Sequence, residues 1–162
     1  MQDPADKFED LAEEIARRAQ AAGLTVAAAE SLTTGAISNA LGAAPEASEW
    51  LRGGVVAYAT EVKRALLGVT AEKVASAQCA RELAQGVARA LEADATVAVT
   101  GVGGPDPDEG ERPGSVYAAA SVRGELREAH WQFDGDPAEV VHQTAGAALE
   151  LLRDALPRAS EG

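Results

Sequence analysis

The chain has 162 residues, the length of one ordinary domain, and 46% of them are hydrophobic, enough for a core that needs no staples. Its formal net charge of -12 repels phosphate backbones at long range and argues against a nucleic-acid partner, while leaving room for a small phosphorylated ligand held by a local nest of donors. The single cysteine, Cys79, and two distant histidines, His130 and His142, give no disulfide framework and no metal-ligand spacing.

The first predicted element is an amphipathic helix over residues 5–22, with Phe8, Leu11, Ile15 and Ala19 at three-to-four spacing and Gly23 as its stop. A short apolar strand follows over 24–29. A helix is expected from Thr33 to Leu41, and a short helix or turn from Pro45 to Leu51. "GGVVAYA", residues 53–59, reads as a strand, and Thr60–Leu67 as a helix with Thr60 as a possible cap and Gly68 as its stop. Another helical turn is expected at Thr70. Ser76 can cap a helix running to Leu91, whose inner face is Cys79, Leu83, Val87 and Leu91. "TVAVTG", residues 96–101, is a buried strand that opens into a loop over 103–114 dense in turn formers, where no regular structure is expected. "SVYAAASV" and "ELREAHWQF" flank Arg123-Gly124 as a hairpin. Asp136 and Pro137 begin the last helix, which runs to Leu156.

Helices interleave with strands, so the fold class is α/β, with helices on both faces of one mixed sheet. The whole chain reads as one domain, with a core over about 5–156 and a flexible acidic tail over 157–162. Only six residues are aromatic, so the core is built from closely packed Ala, Val and Leu. Three lysines stand against eleven arginines on an evenly acidic surface. That balance reads as a halophile's, whose folding needs molar salt; a codon bias toward Ala, Arg and Gly is the alternative. The acidic N-terminus has no apolar signal region and no stretch is long enough to span a bilayer, so a soluble cytoplasmic protein is expected.

Ligands of such sheets sit beyond the carboxyl ends of strands. Three strand ends here carry chemistry. "ESLTTG", residues 30–35, holds more hydroxyls than a helix cap needs, and Ser31 at the strand-to-helix break could serve as a nucleophile or grip a phosphate. In "YATEVK", Tyr58 ends a strand and Lys63 lies one helical turn on; a lysine held neutral by burial can act as a base toward a serine. Ser48 is a second serine, in the segment before that strand. "TGVGGPD" presents backbone N–H groups to an anion without the spacing of a phosphate-binding Gly-Lys-Ser loop. Each segment alone has a plain reading: a helix cap, a solvated helix lysine, a ligand-free loop.

Together they resemble one family, the CinA C-terminal domain, over about Leu11 to Leu156. The matching stretches are "AESLTTG", "GGVVAYATEVK" with "LLGV", "TGVGGPDP", "RPGSVY" and "FDGD", in that order. The resemblance implies a three-layer α/β/α sandwich with a mixed sheet, commonly dimeric or of higher homo-oligomeric state. It implies hydrolysis, without metal or cofactor, of the carboxamide of nicotinamide mononucleotide (NMN), a small pyridine nucleotide, with no nucleic-acid or membrane partner. Carried over, Lys63 is the base, Tyr58 its partner, and Ser31 or Ser48 the nucleophile. Glu30, Thr33, Thr34 and Gly35 of the first motif, and Thr100, Gly101, Gly104 and Pro105 of the loop, bind substrate. The sequence departs from the pattern at Leu32 and Thr34, where the family has Cys and Gly, and at Pro137 and Val141, where it has arginines. Two other functions fit the same residues: a non-catalytic nucleotide-binding or interaction module, and a hydrolase of another small amide that lacks a phosphate.

Overall fold

The computed structural model describes residues 4–159, so residues 160–162 of the expected tail lie outside it. Eleven elements follow one another as α1 (Pro4–Ala22), β1 (Val26–Glu30), α2 (Ala36–Gly42), α3 (Ala47–Trp50), β2 (Leu51–Val56), α4 (Thr60–Leu67), α5 (Ala77–Leu91), β3 (Ala95–Gly101), β4 (Ser115–Val122), β5 (Glu125–Gln132) and α6 (Pro137–Ala155). The strands form one mixed sheet in the order β2-β1-β3-β4-β5. β1 pairs in parallel with β2 and β3, while β4 and β5 run antiparallel. The carboxyl ends of β1, β2 and β3 therefore emerge at the same edge, and the start of β4 returns there, with Gly101 opposite Val116.

Helices cover both faces, as the class expects. On one side α1, α2 and α6 bury Leu11, Ile15, Ile37 and Leu149 against Val26, Val97 and Val99. On the other, α4 and α5 bury Leu67, Cys79, Leu83 and Val87 against Ala27, Ala29 and Ala98. The alanine-rich strands are what the scarcity of aromatics requires: small side chains bring helix and sheet close, so packing contacts come from proximity rather than bulk. Gly86 shows how close the elements come, because a Cβ there would lie 2.1 Å from the Leu67 carbonyl oxygen.

Local signals place several elements. Ser76 accepts the Cys79 N–H at 3.1 Å to cap α5. Asp136 and Glu139 form a reciprocal capping box around Pro137 at the start of α6. Arg123 and Gly124 both have positive φ, the two-residue turn that matches hairpin twist. Other boundaries differ from the sequence reading. β1 is shifted to 26–30, and β2 ends at Val56, so Ala57–Ala59 lie outside it. Ala59, not Thr60, holds the cap position of α4, and no side chain caps that helix. Residues 70–76 form no helical turn; the Glu82 carboxylate instead takes the Thr70 and Ala71 N–H groups at 3.1 and 2.9 Å. No helix among the described residues is long and apolar enough to cross a membrane.

Candidate active site

Parallel β1, β2 and β3 deliver three segments to one cavity of about 220 Å³. β1 contributes Ser31 and Leu32; the β2–α4 connection contributes Tyr58, Thr60 and Lys63; the β3 end contributes Thr100, Gly101 and Gly104. Asp106, Asp108 and Glu109 complete the mouth. Two larger hollows, of about 410 and 590 Å³, flank Phe8 on the α6 and α2 sides of α1. Neither of these, nor a third hollow of about 440 Å³ at the start of α6, is lined by a buried charged residue, whereas the smaller cavity holds the buried Lys63.

Ser31 is 5% exposed, and its hydroxyl has no hydrogen-bond partner among the described residues. The backbone N–H groups of Leu32, Gly103 and Gly104, residues that line the same cavity, likewise have none among the described residues. Lys63 is 3% exposed and its Nζ donates to the Tyr58 carbonyl at 2.7 Å. The tie is to the Tyr58 backbone, while the residue itself is 68% exposed at the rim. Burial holds the Lys63 pKa below the ordinary lysine value, opposed by negative charge on Cys79 and Glu109. Burial also pushes the Cys79 thiol up to about 11, so at neutral pH only Glu109 supplies that charge.

The other residues of "ESLTTG" do something different. Glu30 is buried and its carboxylate accepts from the Thr33 hydroxyl at 2.7 Å, the Gly35, Ile37 and Ser38 N–H groups at 3.1, 3.0 and 2.8 Å, and the Ser38 hydroxyl at 2.6 Å. Glu30 thus closes the N-terminus of α2 from one strand away, in place of a local cap, and the helix starts at Ala36 rather than Thr33. Those N–H groups and the Thr33 hydroxyl are committed to Glu30 and do not line the cavity. Thr34 is exposed with φ 45°, a left-handed conformation that costs an L-residue about 1–2 kcal/mol. Replacing Thr34 with Gly should therefore stabilise the fold by about 0.5–1 kcal/mol and raise Tm by roughly 1–4 °C, even after the greater chain entropy of Gly. A thermal melt with a lower Tm would show that the Thr34 side chain makes up for its strain.

Ser48 lies in α3, exposed, just before β2. Because β2 runs toward the cavity, Ser48 sits at the opposite end of the strand, a rise of roughly 20 Å for six residues. Within one chain the structure joins Ser31, not Ser48, to the Lys63 cavity. Thr100 does line it, but its hydroxyl donates to the Val74 carbonyl at 2.8 Å. Pro105 is exposed between Gly104 and Asp106 and does not line it.

The loop over 103–114 holds a feature its turn formers did not announce. Asp108 and Glu111 exchange backbone hydrogen bonds of 3.1 and 2.7 Å around Glu109 and Gly110, both at positive φ. This small hairpin aims the Glu109 carboxylate at the Val74 and Ala75 N–H groups, 3.0 and 2.9 Å away. Glu111 accepts from Lys73 at 2.7 Å, from Tyr117 at 2.9 Å and from Ser115 at 3.0 Å. The two glutamates fasten the cavity wall to the 68–76 segment and to β4. Glu-Gly between acidic residues was the available signal for the turn.

The matching family model, the CinA C-terminal domain, covers residues 8–156. The chain belongs to the CinA C-terminal domain family. A CinA-like protein of Syntrophotalea carbinolica is 40% identical over 151 residues, covering 90% of this chain and 37% of its own length. A putative competence-damage inducible protein of Bacillus velezensis is 35% identical over 147 residues, covering 88% and 35%. The chain thus spans about a third of the length of these curated CinA relatives. The crystal structure of a CinA superfamily protein from Escherichia coli superposes with TM-score 0.89 at 30% identity, covering 96% of this chain and 94% of that one. One from Klebsiella pneumoniae gives 0.86 at 31%, covering 91% and 96%. The five-stranded mixed sheet flanked by helices is the CinA fold, as the motif order implies.

Proposed function

We propose that this CinA domain is a serine/lysine amidohydrolase that deamidates NMN to nicotinate mononucleotide and ammonia. The observation that carries the reading is the cavity shared by the accessible, unpartnered hydroxyl of Ser31, a residue only 5% exposed, and a buried Lys63 whose pKa is lowered. A neutral lysine amine can donate one N–H to the Tyr58 carbonyl and keep its lone pair for a proton. That lone pair takes the Ser31 proton as Oγ bonds to the carboxamide carbon. In this reading the oxyanion that forms is held by free backbone N–H groups of the lining, those of Leu32, Gly103 and Gly104. Collapse breaks the C–N bond, Lys63 returns the proton to the departing nitrogen, and ammonia leaves. Water then cleaves the seryl ester by the same base, giving the carboxylate and free Ser31. The cavity is smaller than the ~300–1,000 Å³ of ordinary ligand pockets, so it takes the amide-bearing ring and leaves the rest of the nucleotide in the mouth.

Ammonia release from NMN by the purified protein tests this directly. Turnover that disappears in Ser31→Ala and persists in Ser48→Ala is the expected result. Loss in Ser48→Ala with retention in Ser31→Ala would reverse the nucleophile, and no turnover with measurable NMN binding would favour a binding module.

A further inference from the structure

The sheet ends in an open edge. β5 is the last strand in the order, and among the described residues no strand pairs its outer side. It spans eight residues in unbroken register with β4, from Glu125 opposite Val122 to Gln132 opposite Ser115, and carries neither proline nor lysine. Edges of that length are ordinarily blunted by bulges, proline or lysine. The opposite edge, β2, is blunted: it has six residues, Gly53 and Gly54 among them, and its register with β1 shifts between Leu51 and Gly53.

The neighbouring strands fix which backbone groups of β5 face outward. The Ser115 carbonyl accepts from the Val102 N–H at 3.0 Å, and the Arg123 N–H donates to the Asp94 carbonyl at 2.8 Å, so the odd-numbered residues of β4 bond toward β3. Its even-numbered residues therefore bond β5, through Glu125, Arg127, Ala129 and Trp131. The N–H and C=O groups of Leu126, Glu128, His130 and Gln132 point away from the sheet.

We infer that β5 pairs antiparallel with β5 of a second copy about a two-fold axis at Ala129, joining the two sheets into one. In that register Glu128 lies opposite the partner's His130 and Leu126 opposite the partner's Gln132. Every outward backbone group from Leu126 to Gln132 then finds a partner. On the other face Arg127 meets the partner's Trp131, a cation against an aromatic ring. The neighbouring registers are worse. An axis at Glu128 sets that carboxylate against its own copy, an axis at Arg127 does the same for the guanidinium, and an axis at His130 leaves the Leu126 groups bare. Arg81 of α5 holds Glu128 at 2.8 Å, on the face that His130 shares. The contact reaches the cavity wall, because His130 stacks on Tyr117 at 4.0 Å and shares a 3.0 Å hydrogen bond with Ser115, and both of those residues hold Glu111. The inference rests on the sheet edge and stands apart from the amidohydrolase reading.

The axis defines the test. In a non-hydrogen-bonded pair the two Ala129 Cα atoms lie about 4.5 Å apart, within reach of a disulfide. Ala129→Cys should form a covalent dimer under mild oxidation, while the native Cys79 is fully buried and takes no part. Arg127→Cys, on the same face but displaced from its own copy by about 13 Å along the strand, should not cross-link. Each copy carries a net charge of -12, so association is measured by sedimentation equilibrium in salt that screens it. The wild type should be a dimer. Glu128→Pro removes an outward N–H and leaves the β4 ladder intact, so it should raise the dimer Kd about tenfold or more. Circular dichroism checks its folding, and if it does not fold the two cysteine variants decide alone. A monomeric wild type overturns the inference. So does a dimer in which Ala129→Cys fails to cross-link, or one whose Kd a folded Glu128→Pro leaves unchanged.

Discussion

Lys63→Ala should lower kcat/KM for amide hydrolysis by roughly 10²–10⁴-fold, the usual contribution of a general base. Lys63→Arg should fall as far, because a guanidinium keeps the charge but cannot give up its proton at any accessible pH. Comparing the two separates a base from a mere positive charge at the site. Lys63→Met keeps the aliphatic bulk inside α4 and serves as the folding control. In the wild type the lowered Lys63 pKa predicts that kcat/KM climbs with pH to an inflection below 10.5. Glu109 opposes the lowering, so Glu109→Gln should move that inflection further down. The stability effect has a defined sign. Folded Lys63 binds fewer protons than the unfolded chain between its lowered pKa and 10.5, so its contribution grows as pH rises through that window and is lost as pH falls. Activity retained in Lys63→Ala, or an inflection at 10.5 unmoved by Glu109→Gln, would remove Lys63 from the base role.

How much of this was legible depends on whether a signal was local. The Ser76 and Asp136 caps, the Arg123-Gly124 turn and the three chemistry-bearing strand ends are all written within a few residues, and each sits where its local pattern placed it. Ser48 was separable from Ser31 only by strand direction: a residue before a parallel strand lies at the far end from one after it. The loop hairpin was hidden because Glu109 adopts a positive φ that its side chain does not favour, and tertiary bonds to Val74 and Ala75 hold it there. The surplus of hydroxyls in "ESLTTG" pointed to the right place for a partly different reason. Ser31 faces the cavity, Thr33 serves Glu30, and Thr34 is exposed and strained.

Glu30→Ala should be among the most destabilising single changes in the protein, costing about 4 kcal/mol and lowering Tm by roughly 8–16 °C. Five hydrogen bonds end on this one buried carboxylate, three of them from backbone N–H groups of the α2 N-terminus. Donors bonded to an ionised acceptor contribute more than neutral pairs, and donors left buried without a partner each carry a desolvation penalty. Glu30→Gln should cost about half as much, because its carbonyl oxygen still accepts while its amide turns N–H toward groups that also donate. A substrate-binding Glu30 would behave otherwise: Glu30→Gln would raise KM and leave the melting temperature in place. Thermal melts beside KM for the two variants decide between these roles, and an unchanged Tm in Glu30→Ala would refute the capping role. The turn that Glu30 closes is also the one that carries Ser31. Loosening it should lower kcat even at temperatures where the variant stays folded, since a hydroxyl held poorly against Lys63 loses the positional advantage that the buried strand end provides.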